Sequence, residues 1–124
     1  LGGQPGVDSA HFAGPERDND ANNRLVLERL SGVPEPKRGA RYVCHVTLCD
    51  ASGEVRAEAA GECRGRIGAE PRGGGGFGYD PLFEVREYHR TFGQMGPAVK
   101  RALSHRSRAM RAILPQVARL VRAQ

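Results

Sequence analysis

Between Arg72 and Pro81 the chain reads Arg-Gly-Gly-Gly-Gly-Phe-Gly-Tyr-Asp-Pro, five glycines in ten residues. Glycine loses more backbone freedom on ordering than any other residue and takes positive φ readily, so neither a helix nor a strand is built from such a run. The stretch is a loop, and the elements on either side are organised around it. A plain linker has no use for two rings, a carboxylate and a stiffening Pro81 so close together. The composition fits a loop that closes over a flat, polar-edged ligand such as a nucleobase. Phe77 and Tyr79 are two apart and share a side in an extended backbone, where they can equally be ordinary core rings. One can stack on a base, for roughly 1–3 kcal/mol, while the other packs inward. Asp80 can accept from a ring N–H of that base or simply orient the loop.

The flanks read as a mixture of helices and strands. Residues 1–14 are rich in turn formers and read as loop. Asp18 to Leu30 predicts a helix, capped by Asp18 or Asp20, with Val26, Leu27 and Leu30 as its apolar side and Ser31-Gly32-Val33-Pro34 as its stop. Arg41 to Cys49 predicts a strand with Tyr42, Cys44, Val46 and Leu48 on one face. Asp50 to Gly53 is a turn. Val55, Ala57, Ala59, Gly61 and Cys63 then alternate with Arg56, Glu58, Glu62 and Arg64, which makes a hairpin whose small residues invite close packing. Leu82 to Val85 is a short strand, 88–97 is irregular, and Lys100 to Arg106 is a basic turn. From Ser107 a helix carries Met110, Ile113, Leu114, Val117 and Val121 as an apolar stripe, with a kink expected at Pro115.

At 124 residues the chain fits a single domain, spanning residues 1–124. Its formal charge is +5, nearly all of it from arginine, which suits bidentate contacts to phosphate or carboxylate. No apolar run approaches the ~20 residues of a membrane span, so no membrane association is expected. Cys44, Cys49 and Cys63 form no C-x-x-C pair, and Cys44 and Cys49 fall on opposite strand faces; reduced thiols and a cytoplasmic location are expected. His11, His45 and His89 lack metal-ligand spacing, and neither a phosphate-loop nor a nucleophile-elbow motif is present. Leu rather than Met opens the sequence, as in a fragment or a processed chain.

Ser104-His105-Arg106 carries the second chemical signal. Arg always donates hydrogen bonds and His donates from at least one ring nitrogen. Adjacent, they suit an acceptor such as a purine 6-keto oxygen. Adenine presents an amino group there, donor would face donor, and discrimination of about 10⁴ is reachable in this way. Lys100, five residues earlier, offers a point charge suited to a polyphosphate.

These blocks resemble the inosine triphosphate (dITP/XTP) pyrophosphatases, C-terminal part. The likeness is carried by Leu1 to Ala10 with Ala13-Gly14, by Ala21-Asn22-Asn23, by Gly74 to Phe83 and by Ser104-His105-Arg106, and it spans essentially the whole chain. It implies an α/β fold, part of a curved mixed β-sheet flanked by helices. It implies Mg²⁺-dependent cleavage of deaminated purine nucleoside triphosphates (ITP, dITP, XTP) to monophosphate and pyrophosphate, as nucleotide-pool cleaning, usually by a homodimer. Phe77, Gly78, Tyr79 and Asp80 match the family's base-binding loop, Lys100 its substrate-binding lysine, and His105 and Arg106 the pair that reads the purine edge. His11 stands where the family usually has Arg, and Val99 where it has an acid.

The family's Gly-Asn…Lys phosphate loop, metal-binding Glu and Asp-Asp-Ser-Gly block with its catalytic Asp are not among these residues. No catalytic residue and no metal ligand is therefore assigned here, and this polypeptide alone is expected to show negligible turnover even with Mg²⁺. The alternatives are a catalytically dead nucleotide-binding or interaction relic, and a basic RNA-binding module suggested by Arg72-Gly73-Gly74; nucleic acid is not the expected partner.

Overall fold

A computed structural model describes all residues, 1–124, and resolves them into two compact units: Leu1–Ala40 with Gly65–Gly96, and Arg41–Arg64 with Pro97–Gln124. The helices are α1 (Asn19–Arg29), α2 (Pro97–Leu103) and α3 (His105–Arg122), and the strands are β1 (Gly39–Cys49), β2 (Val55–Ile67), β3 (Phe83–Val85) and β4 (Arg90–Thr91). The class is α/β. Strand order is β1-β2-β3-β4, and β1 and β2 contribute residues to both units. β3 runs antiparallel to β2, with Arg66 opposite Glu84, and antiparallel to β4, with Glu84 opposite Thr91.

In the first unit α1 begins where the sequence predicts. The Asp18 carboxylate accepts from the Ala21 N–H at 3.1 Å, which satisfies one of the orphan donors of the first turn. Val26 and Leu30 bury against Leu82, with Phe12, Leu27, Val33, Ile67 and Tyr79 packed around them. Arg38 ties the exit of α1 to the end of β2. Its guanidinium donates to the carbonyls of Leu30 and Gly68 at 2.8 Å and of Ile67 at 2.9 Å. Phe83 and Phe92 stack with centroids 5.4 Å apart. Residues 6–11, expected to be loop, form 3-10 turns, and the irregular 88–97 stretch holds the two-residue β4 between short 3-10 turns.

In the second unit the hairpin alternates over its middle, while Leu48 and Val55, expected on the same faces, are exposed where the strands run out to the turn. Tyr42, Cys44 and Val46 are half-buried, while Ala57, Gly61 and Cys63 are buried. At Gly61 α3 lies directly against β2: a Cβ there would overlap the His105 carbonyl oxygen and the Ala109 amide nitrogen. That closeness sets the helix's rotation. The buried positions of α3 are Ala109 and Ile113, whereas Met110, Leu114 and Val121, expected inside, are exposed. A small residue against a glycine brings the backbones together and turns the larger neighbours outward. α3 runs on through Pro115 to Arg122. The basic stretch expected as a turn is mostly helical: Lys100 lies in α2, and α3 begins at His105 rather than Ser107. No disulfide joins the cysteines.

Candidate functional site

Phe77, Gly78, Tyr79 and Asp80 lie on the glycine loop of the first unit. That loop is pinned rather than slack. At its root the Arg72 N–H donates to the Pro81 carbonyl at 2.9 Å, and the Arg72 carbonyl accepts from the buried Thr91 hydroxyl at 2.6 Å. Halfway along, the Gly75 N–H donates to the Gly93 carbonyl, and the Gly93 N–H donates to the Asp80 carbonyl, each at 2.9 Å. Gly73 has positive φ, and a Cβ there would overlap the Gly93 backbone, so only glycine lets the two segments meet.

Asp80 is buried, and its carboxylate accepts from the Phe77 N–H at 3.0 Å. A Cβ on Gly76 would occupy the space this carboxylate fills. Asp80 thus orients the loop from within. The two rings part company at Gly78, whose φ of +59° breaks the extended alternation. Phe77 is left 56% exposed. Tyr79 turns inward onto the α1 core, and its hydroxyl donates to the Ser9 carbonyl at 2.5 Å. Burial pushes the Tyr79 hydroxyl pKa up, so it stays a neutral donor.

Beneath the loop sits a charged cluster that the sequence does not advertise. Glu84, 5% exposed, is gripped by Arg66 through Nε at 2.9 Å and Nη2 at 2.7 Å, and its other oxygen pairs with Arg72. Arg66 also pairs with Glu35. Burial pushes the Glu84 carboxyl up, but hydrogen bonds and charge from Arg66 and Arg72 outweigh it and hold the group below the usual Glu range.

Lys100, His105 and Arg106 belong to the second unit. The Ser104 N–H donates to the Lys100 carbonyl at 2.8 Å, closing α2. Ser104 then caps α3, its hydroxyl accepting from the Ser107 N–H at 3.2 Å. His105 is the first helical residue and lies flat on Tyr42 of β1, centroids 4.8 Å apart and planes 15° apart. His105, Arg106 and Arg108 crowd the first turn with no acid among them. The two guanidiniums oppose the helix dipole there, at about 0.3–1 kcal/mol each. Such a turn combines backbone donors, cations and the positive end of a dipole, all suited to an electron-rich oxygen or phosphate.

Three further residues bear on these segments, and little in the sequence marks them. Tyr42 has only the pattern of a strand-face residue. Glu84 has only that of a short strand. Asn23 belongs to a block quoted for its likeness alone, although paired asparagines inside a helix are poor helix formers and hint at a polar duty. No group of three or more His, Cys, Asp or Glu side chains is placed to hold a metal ion, so the implied Mg²⁺ finds no ligand set among these residues. The hollow of about 300 Å³ lined by Leu48, Asp50, Arg56, Val117 and Leu120 contains none of the expected site residues. No helix is long and apolar enough to cross a membrane.

Comparison with known proteins places these features in a lineage. The model of the Ham1 family matches residues 1–116. A dITP/XTP pyrophosphatase of Rhodopirellula baltica is 54% identical over 99% of this chain and 59% of its own length. One of Mycolicibacterium paratuberculosis is 47% identical over 100% of this chain and 60% of its own. The Ham1 protein of Staphylococcus aureus superposes with a TM-score of 0.84 at 31% identity, covering 98% of this chain and 60% of that one. The chain thus spans about three fifths of the length of the curated relatives it matches.

Proposed function

The chain belongs to the Ham1 family, and from that membership we propose that the protein carrying it hydrolyses deaminated purine nucleoside triphosphates to the monophosphate and pyrophosphate, as its dITP/XTP pyrophosphatase relatives are named for doing. Water attacks within the triphosphate chain, one P–O bond forms, one breaks, and pyrophosphate leaves. The residues present bind and orient. Phe77 offers a ring face to the purine, on a backbone held by Gly78, Tyr79 and Asp80. His105 and Arg106 donate to the 6-keto oxygen, and Lys100 neutralises phosphate charge. None of these residues is assigned as general base. Use of Mg²⁺, a homodimer and a cytoplasmic location belong to the same proposal and rest on the family likeness.

The observation that supports this reading most is the exposed Phe77 ring on a loop whose backbone is pinned at Asp80 and Gly93. An exposed ring on a rigid backbone offers a stacking surface without the entropy cost of ordering a mobile one. The test is titration of the purified chain with ITP, XTP, ATP and a structured RNA. Tighter binding of ITP and XTP than of ATP is expected. Base-indifferent binding that falls steeply with salt would overturn the reading in favour of an RNA binder.

A further inference from the structure

Asn23 sits on α1 with 9% of its surface exposed. Its Nδ2 donates to the Gly78 carbonyl at 3.1 Å, across 55 residues of sequence, and its Oδ1 has no hydrogen-bond partner. A buried acceptor left unsatisfied is costly, whereas an apolar side chain of similar volume, one turn before the buried Val26, would leave none. Stability alone therefore does not explain an asparagine here. Its neighbour Asn22 accepts from the Ala13 N–H at 2.7 Å and donates to the Ala10 carbonyl at 2.9 Å, so α1 is itself fastened to the 9–13 segment. Tyr79 reaches that same segment at Ser9. Gly78 is thus held from a braced helix, at the left-handed residue where the loop sends one ring outward and the other inward. The peptide plane is rigid, so fixing the Gly78 carbonyl also fixes the direction of the Tyr79 N–H on its far side.

We infer that Asn23 is a positioning residue for the base loop, setting the Gly78 peptide and through it the presentation of Phe77; this rests on the proposed nucleotide-binding role of that loop. Asn23→Leu removes the hydrogen bond while keeping the volume. It is expected to leave thermal stability unchanged or raised, to speed amide hydrogen exchange at Phe77–Asp80, and to weaken ITP binding by about tenfold. A merely structural asparagine would move stability and binding in the same direction. Asn23→Ala, which likewise has no donor to offer Gly78, serves as second variant where the leucine protein fails to fold, and the same loop and binding effects are expected. Unchanged loop exchange in a folded variant overturns the inference. So does unchanged ITP affinity when the unsubstituted chain binds ITP. Should the unsubstituted chain show no preference for ITP, the proposed function falls, and loop exchange alone decides the part played by Asn23.

Discussion

His105 rests face to face on Tyr42, with ring centroids 4.8 Å apart and an interplanar angle of 15°. The stack joins the first residue of α3 to β1 and fixes the imidazole plane at the mouth of a cationic helix start. An aromatic stack of this kind contributes about 0.5–1.5 kcal/mol beyond the area it buries.

Tyr42→Ala should accordingly weaken ITP binding by roughly 2- to 13-fold, the span that 0.5–1.5 kcal/mol corresponds to. Tyr42→Phe keeps the ring face and should stay within about twofold of the parent chain. Calorimetric titration of both variants checks this. Equal losses in both would mean that the hydroxyl, not the stack, matters.

Gly61→Ala tests the approach of β2 and α3. The added methyl would meet the His105 carbonyl and the Ala109 backbone, neither of which can swing aside as a side chain can. Overpacking of this kind costs about 1–3 kcal/mol. A matching fall in the denaturation midpoint is expected, with the slope of the transition preserved.

How far these features could be read beforehand depends on the range of the interaction behind them. α1 was legible because its signals are local: Asp18 caps it, and Gly32 and Pro34 end it. The hairpin was legible because its face alternates over a long run. Lys100 to Arg106 reads as a turn because its charges hide any apolar period, while Ser104, the cap that separates α2 from α3, is a single residue. The rotation of α3 was misjudged because hydrophobicity ranks Met110 and Leu114 above Ala109. The helix is instead seated where Gly61 admits a small partner. Tyr42 and His105 are separated by 63 residues, and Glu84 lies 12 residues from Arg72; no periodicity connects either pair. The parting of Phe77 from Tyr79 needed the positive φ of Gly78, which the glycine permitted but did not dictate.

Glu84 should make stability depend on acid. Its folded pKa lies below the ordinary Glu value of 4.5, so its contribution is fully present above that value and is lost as pH falls through the lower folded pKa. Thermal midpoints should hold from neutrality down to about pH 5 and drop below the ordinary Glu pKa. Glu84→Gln takes the buried counter-charge from Arg72 and leaves Arg66 only the more exposed Glu35. It should cost about 3 kcal/mol near pH 7, and the acid limb due to this group should vanish. A midpoint that falls along the same acid limb in the variant would assign the effect to another carboxylate.

Phe77→Ala separates binding from folding. The ring is 56% exposed, so truncation should cost well under the ~3–5 kcal/mol of a fully buried phenylalanine. If the ring carries the purine, the variant forfeits roughly 1–3 kcal/mol of stacking, a 5- to 150-fold loss of ITP affinity. Phe77→Leu should recover only part of it, since a branched aliphatic side chain has no flat face. An alanine variant with undiminished ITP affinity would remove Phe77 from the site.

Arg106→Ala carries the last test, because here the expected effects on folding and on recognition diverge. Arg106 is exposed in the first turn of α3, where a cation opposes the helix dipole by about 0.3–1 kcal/mol. As for other exposed charged residues, its removal should move stability by no more than about 1 kcal/mol. Recognition should suffer if Arg106 reads the purine edge as proposed: a donor to the 6-keto oxygen is lost, and with it the clash that a donor presents to the amino group of adenine. ITP affinity should therefore fall by at least tenfold while ATP affinity stays flat or rises, so that the ratio of the two collapses toward unity. Equal weakening toward both nucleotides would show that Arg106 acts on the shared phosphates instead, and would leave His105 to carry discrimination between the bases.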